Sequence, residues 1–122
     1  MTRKIRPVLF VLALTVGVAS LVHAHMNLEK TSPEDGETLS SAPKHLQLWF
    51  TQDPDPAMSK LEVTGSGGAV EVAKPHTMGD SSLMAGIIGE ITDGDYTVKW
   101  QTAGPDGHLQ DGEFSFSVTG AQ

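Results

Sequence analysis

After residue 24 no helical repeat persists beyond a turn or two, whereas apolar residues recur at every second position. The runs are Leu46, Leu48, Phe50; Leu61, Val63; Val70, Val72; Tyr96, Val98, Trp100; and Phe114, Phe116, Val118. Period-two alternation places one set of side chains on one face of an extended strand. A first strand across Met26 to Ser32 and another near Ser82 to Ile88 bring the expected number to seven. Turn chemistry separates them at Pro33-Glu34-Asp35-Gly36, Gly65-Ser66-Gly67-Gly68 and Asp93-Gly94. Seven short strands in about 98 residues predict an all-β, immunoglobulin-like Greek-key sandwich in preference to a small barrel. Tyr96, at the start of the sixth strand after Asp93-Gly94-Asp95, stands where such sandwiches carry a tyrosine corner.

The first 24 residues follow a different pattern. Arg3, Lys4 and Arg6 precede an apolar run from Val8 to Val18, and small residues end the segment at Val22-His23-Ala24. This is the form of a secretory signal peptide. The run is about 11 residues, short of the roughly 20 of a membrane-spanning helix. The expected division is therefore 1–24 as a removed signal peptide and 25–122 as one exported domain, periplasmic or beyond. There is no cysteine, so neither a lipid anchor nor a disulfide is expected, and no thiol is exposed to oxidation. The exported part keeps five lysines against fifteen acidic residues, a formal charge of −10. That balance repels nucleic acid and anionic membranes.

If the strands alternate in direction, the exported N-terminus and the loops 52–59, 74–81 and 103–112 lie at one end. His25, His76 and His108 map to that end, and His45 to the other. Cleavage after Ala24 would make His25 the first residue, able to chelate through its α-amine and Nδ1. His108 would add a second imidazole and Asp106 a carboxylate, with Gly107 allowing the tight turn that aims both inward. Three nitrogens in a T suit tetragonal Cu(II), which tops the divalent affinity order. Closed tetrahedral zinc is a poorer match, and no serine sits in a nucleophile elbow.

Several stretches together resemble the CopC family of exported copper-resistance proteins. They are the run from His25 to Leu39, Ala42-Pro43 before Leu46-Gln47-Leu48-Trp49-Phe50, the run Gly94 to Trp100, Asp106-Gly107-His108, and Gly112 to Val118. The resemblance spans the expected domain and implies an immunoglobulin-like or cupredoxin-like fold. It implies one Cu(II) per chain, with His25, Asp106 and His108 as ligands. It also implies a monomeric carrier or buffer whose partner is a membrane copper transporter of the CopD type. Some members hold Cu(I) in a methionine-rich loop, but residues 62–74 contain no methionine. The soft donors nearby, Met58, His76 and Met78 together with Met84, form a weak candidate set for Cu(I). The alternative to a non-enzymatic carrier is a copper-dependent, oxygen-activating enzyme using the same histidine brace. Against it stand the small size and the placement of the aromatics in strands.

Overall fold

The computed structural model describes residues 25–120, and the expected signal peptide lies outside them. The chain folds as two β-sheets packed face to face. Nine strands run in the order β1 (Leu28–Ser32), β2 (Glu37–Leu39), β3 (His45–Phe50), β4 (Lys60–Gly65), β5 (Gly68–Val70), β6 (His76–Thr77), β7 (Ser82–Gly86), β8 (Gly94–Ala103) and β9 (Leu109–Val118). A single 3₁₀ turn, Pro56–Met58, interrupts them. The four-stranded sheet has the order β1-β3-β7-β6 and the five-stranded sheet β2-β9-β8-β4-β5. All pairings are antiparallel except β2 with β9.

The alternation seen in the sequence becomes the inner face of each sheet. Leu46, Leu48, Phe50, Leu83 and Ala85 of one sheet meet Leu61, Val63, Tyr96, Val98, Trp100, Phe114, Phe116 and Val118 of the other. Tyr96 stacks on Phe116 with ring centres 5.3 Å apart, and Phe50 meets Trp100 edge-on at 5.5 Å. Gly112 sits opposite Trp100 in the β8–β9 ladder, where a Cβ would lie 2.6 Å from the indole. The expected tyrosine corner forms: the Tyr96 hydroxyl donates to the Thr92 carbonyl at 2.7 Å and accepts from the Thr92 amide at 2.9 Å.

Three expectations change. Among the described residues the strands number nine rather than seven, because β2 and β6 are only three and two residues long, too short to display an alternation. The stretch carrying Val70 and Val72 is not one strand. Val70 ends β5 in the five-stranded sheet, while Val72 bridges to Ile87 beside the other sheet, so the chain crosses between layers here. Met26 precedes the first strand instead of joining it, yet is 2% exposed and belongs to the core.

A candidate metal centre at the β8–β9 hairpin

The hairpin joining the two ten-residue strands carries the predicted aspartate and histidine. Its last ladder pair is Ala103 with Leu109, and a tight turn follows in which the Gly107 amide donates to the Gly104 carbonyl at 3.0 Å. Pro105 pre-sets the first corner, and Gly107, at φ +75°, takes the left-handed conformation that glycine adopts without cost. Asp106 then folds back on His108. One carboxylate oxygen accepts from the His108 amide and the other from His108 Nδ1, both at 3.1 Å.

This second bond selects the histidine's tautomer. An ionised carboxylate can only accept, so the shared proton resides on Nδ1, and the lone pair of the neutral ring is at Nε2. The His108 amide and ring hold Asp106 below the ordinary carboxylate range, with smaller contributions from the charges of His108 and His25. The carboxylate therefore remains ionised well into acid solution.

His25 reaches this hairpin from the other side. Its Nδ1 lies 3.9 Å from the Asp106 carboxylate that holds His108, and the two imidazole centres are 6.3 Å apart. One donor atom from each of His25, Asp106 and His108 falls within 4.8 Å of the others. The side chains of the two histidines are 61% and 73% exposed, so the group opens directly to solvent. Two imidazoles and a carboxylate make a nitrogen–oxygen donor set, and tetragonal arrangements of that kind suit Cu(II) or Ni(II).

The position of His25 is fixed by its neighbours. The buried Met26 side chain packs against Gly104, where a Cβ would stand 3.2 Å from Met26 Cβ and 3.8 Å from an Asp106 oxygen. Asn27 is held at both backbone groups by Thr51: its amide donates to Thr51 Oγ1 at 2.8 Å, and its carbonyl accepts from the Thr51 amide at 2.9 Å. Met26 is thus an anchor for the site that reading the sequence missed. A single apolar residue before a strand carries no periodic signal.

The other expected donors lie elsewhere. His76 is not in a loop at this end: residues 74–81 contain β6, and His76 pairs there with Met84 of β7. Met78 begins the turn after β6, its amide donating to the Ser82 carbonyl at 3.3 Å. Met58 closes the 3₁₀ turn that follows Asp55, whose amide donates to Ala103 of β8. His45 opens β3 opposite Gly86, toward the far end, as expected. A cleft of about 380 Å³ is lined by Lys60, Glu62, Lys99 and Gln101 on the outer face of the five-stranded sheet, and none of the three clustered donors lines it.

A family model described as the CopC domain matches residues 28–119. The chain belongs to the CopC family. Its curated relatives include Protein YobA of Escherichia coli K12 and of Shigella flexneri, each 27% identical over 119 residues and aligned across 95% of both chains. Among solved structures it is similar to CopC from Methylosinus trichosporium OB3b, with 26% identity and a TM-score of 0.70 over 77% of this chain and 93% of that one. PcoC, described as a methionine-rich copper resistance protein from Escherichia coli, gives a TM-score of 0.67 at 24% identity over 79% of this chain and 100% of that one. This second likeness speaks to the fold alone. The CopC family match begins three residues after His25, so Asp106 and His108 lie within it and His25 does not.

Proposed function

We propose that this CopC-family protein is an exported copper carrier, not an enzyme, that binds one Cu(II) through His25, Asp106 and His108. The observation that carries the reading is the meeting of these three donors within 4.8 Å at one end of the sandwich. The family supplies the copper: the CopC resemblance implies Cu(II) on these three ligands, and the CopC domain match includes two of them, Asp106 and His108. His25 contributes Nδ1 and, once Ala24 is removed by signal cleavage, its α-amine. His108 contributes Nε2, and Asp106 both orients that ring and offers carboxylate oxygen. The wide exposure of both imidazoles favours exchange of the ion with a partner, which we take to be a membrane copper transporter of the CopD type. The protein would act as a monomer in the periplasm or an equivalent exported space.

Electron paramagnetic resonance of the protein titrated with Cu(II) tests this. One equivalent should give a tetragonal spectrum with nitrogen hyperfine structure, and His108→Ala should change it. Two equivalent ions, or a spectrum indifferent to His108→Ala, would remove the assignment.

A further inference from the structure

The five-stranded sheet leaves one long strand edge open. β2 covers β9 only over Phe116–Val118. The turn after β1 then takes one more residue: the Ser115 amide donates to the Asp35 carboxylate at 3.0 Å, and the Ser115 carbonyl accepts from the Gly36 amide at 2.7 Å. In an antiparallel ladder, alternate residues turn both backbone groups to the same side. The β8–β9 register runs without a shift from Val118 to Leu109. The backbone groups of Glu113, Asp111 and Leu109 therefore point away from β8, as those of Ser115 do. Among the described residues no strand covers them.

The other edges are blunted in ways that strand edges usually are. β2 and β5 are three residues long and β6 two, and β1 carries a register shift between Leu28 and Lys30. The open stretch of β9 has neither a bulge nor a proline. Beside it, a cleft of about 320 Å³ lies between the edges of the two sheets, bounded by Leu28 and Thr31 of β1 and by Phe114 of β9. Glu29, Glu34, Asp35 and Glu113 line it as well. On the outer face of β9, Leu109, Asp111 and Glu113 are exposed, Leu109 to 57%. Lys99 stands opposite Glu113, but Asp111 faces Gln101 and has no cation directly across from it.

We propose that this edge is the docking surface for an extended, basic segment of the protein that exchanges copper with the carrier. The segment adds to the sheet as a strand in line with β2, and its backbone takes up the free groups of Asp111 and Glu113. On one face its side chains are lysine or arginine, beside those two carboxylates; on the other they are small and apolar, directed into the cleft over Phe114 and Leu28. A second copy of this chain is the wrong occupant, because pairing β9 with itself sets carboxylates against carboxylates. Leu109 follows His108 directly, so a strand held here reaches the hairpin donors. The partner's part in copper exchange rests on the function proposed above; the open edge does not.

The test is an NMR titration of isotope-labelled, copper-free protein beginning at His25 with a short, end-capped peptide of alternating lysine and valine. The amides of Asp111 and Glu113 should shift and become protected from hydrogen exchange, while those of β5 and β6 stay unchanged. A glutamate–valine peptide of the same pattern should not bind. Asp111→Pro removes one outward N–H and leaves the ladder to β8 in place, so it should abolish docking. Asp111→Lys keeps that N–H and should weaken docking roughly tenfold. His108→Ala should dock the peptide as the parent does, so that a failure of docking and a failure of Cu(II) binding are read separately. Equal binding of the glutamate–valine peptide, shifts without exchange protection, or undiminished docking in Asp111→Lys would each overturn the proposal. So would shifts of the same amides with protein concentration alone, which would give the edge to a second copy.

Discussion

The hairpin end and the outer face of the four-stranded sheet both gather histidine with other donors, but they do so by different means. At the hairpin, irregular backbone does the work: a glycine turn folds Asp106 onto His108, and a buried methionine with a doubly bonded asparagine delivers His25. On the sheet, plain strand register sets His76 opposite Met84, with Met78 in the turn that follows. The first donor set is nitrogen and oxygen, partly ionised and fixed by hydrogen bonds. The second is thioether and imidazole, uncharged and carried on flexible side chains. Donor chemistry therefore directs Cu(II) to the hairpin rather than to the sheet.

His108→Ala separates the two regions most sharply. Removal of a plane-setting imidazole should lower Cu(II) affinity by more than the roughly 10–100-fold cost of outer-shell changes. A competition titration against a chromophoric chelator measures this, and His76→Gln on the sheet should leave Cu(II) affinity unaffected.

Met26→Ala acts on the hairpin from beneath. Truncating a buried methionine costs about 2–5 kcal/mol of stability, readable from denaturant midpoints. Cu(II) affinity should fall as well in the folded fraction, because the same side chain seats His25. Met58→Ala, at a side chain 38% exposed, should stay within about 0.5 kcal/mol. Equal losses in the two variants would mean that Met26 is no special anchor.

Asp106→Asn should have a smaller effect on Cu(II), about 10–100-fold. Asparagine can still accept from the His108 ring but carries no charge.

The pH dependence sharpens the comparison further. Hydrogen bonds from His108 lower the Asp106 pKa, so the carboxylate's contribution is present above its ordinary range and is lost only as pH falls through the lowered value. Amine and imidazole must shed protons before they ligate, so acidification should strip Cu(II) while Asp106 is still ionised. Asp106→Asn, which binds Cu(II) more weakly, should therefore release it at a higher pH than the parent protein, along a curve of the same steepness, because the same amine and imidazole protons compete with the ion. A shallower curve in the variant would assign part of the release to the carboxylate.

Much of this was legible in the sequence, and the failures have physical reasons. Core strands could be read because each buries one face, which forces alternation at Leu46, Leu48, Phe50 and their counterparts. The tyrosine corner could be read because Asp-Gly turns mark where β8 begins. By contrast, β2 pairs through backbone groups alone over three residues, and β6 over two, so their side chains leave no pattern. The hairpin donors were visible as Asp106-Gly107-His108, yet the Asp106–His108 ring bond, which settles the tautomer, depends on side-chain rotamers. A two-residue edge strand looks like a loop in sequence, so His76 reads as a loop residue. Only the register with β7 reveals that it faces Met84.

The central claim is that export itself completes the Cu(II) site. While His25 is joined to Ala24, its nitrogen is an amide without a basic lone pair; after cleavage it is an amine, of a class with pKa of about 8. The direct measurement compares protein beginning at His25 with the same protein beginning at Ala24, titrated with Cu(II) side by side against one chromophoric competitor. Both should fold alike, and the extended form should bind Cu(II) several orders of magnitude more weakly, each factor of ten corresponding to about 1.4 kcal/mol. Equal affinities would show that the N-terminal amine is not a ligand and would contradict the account.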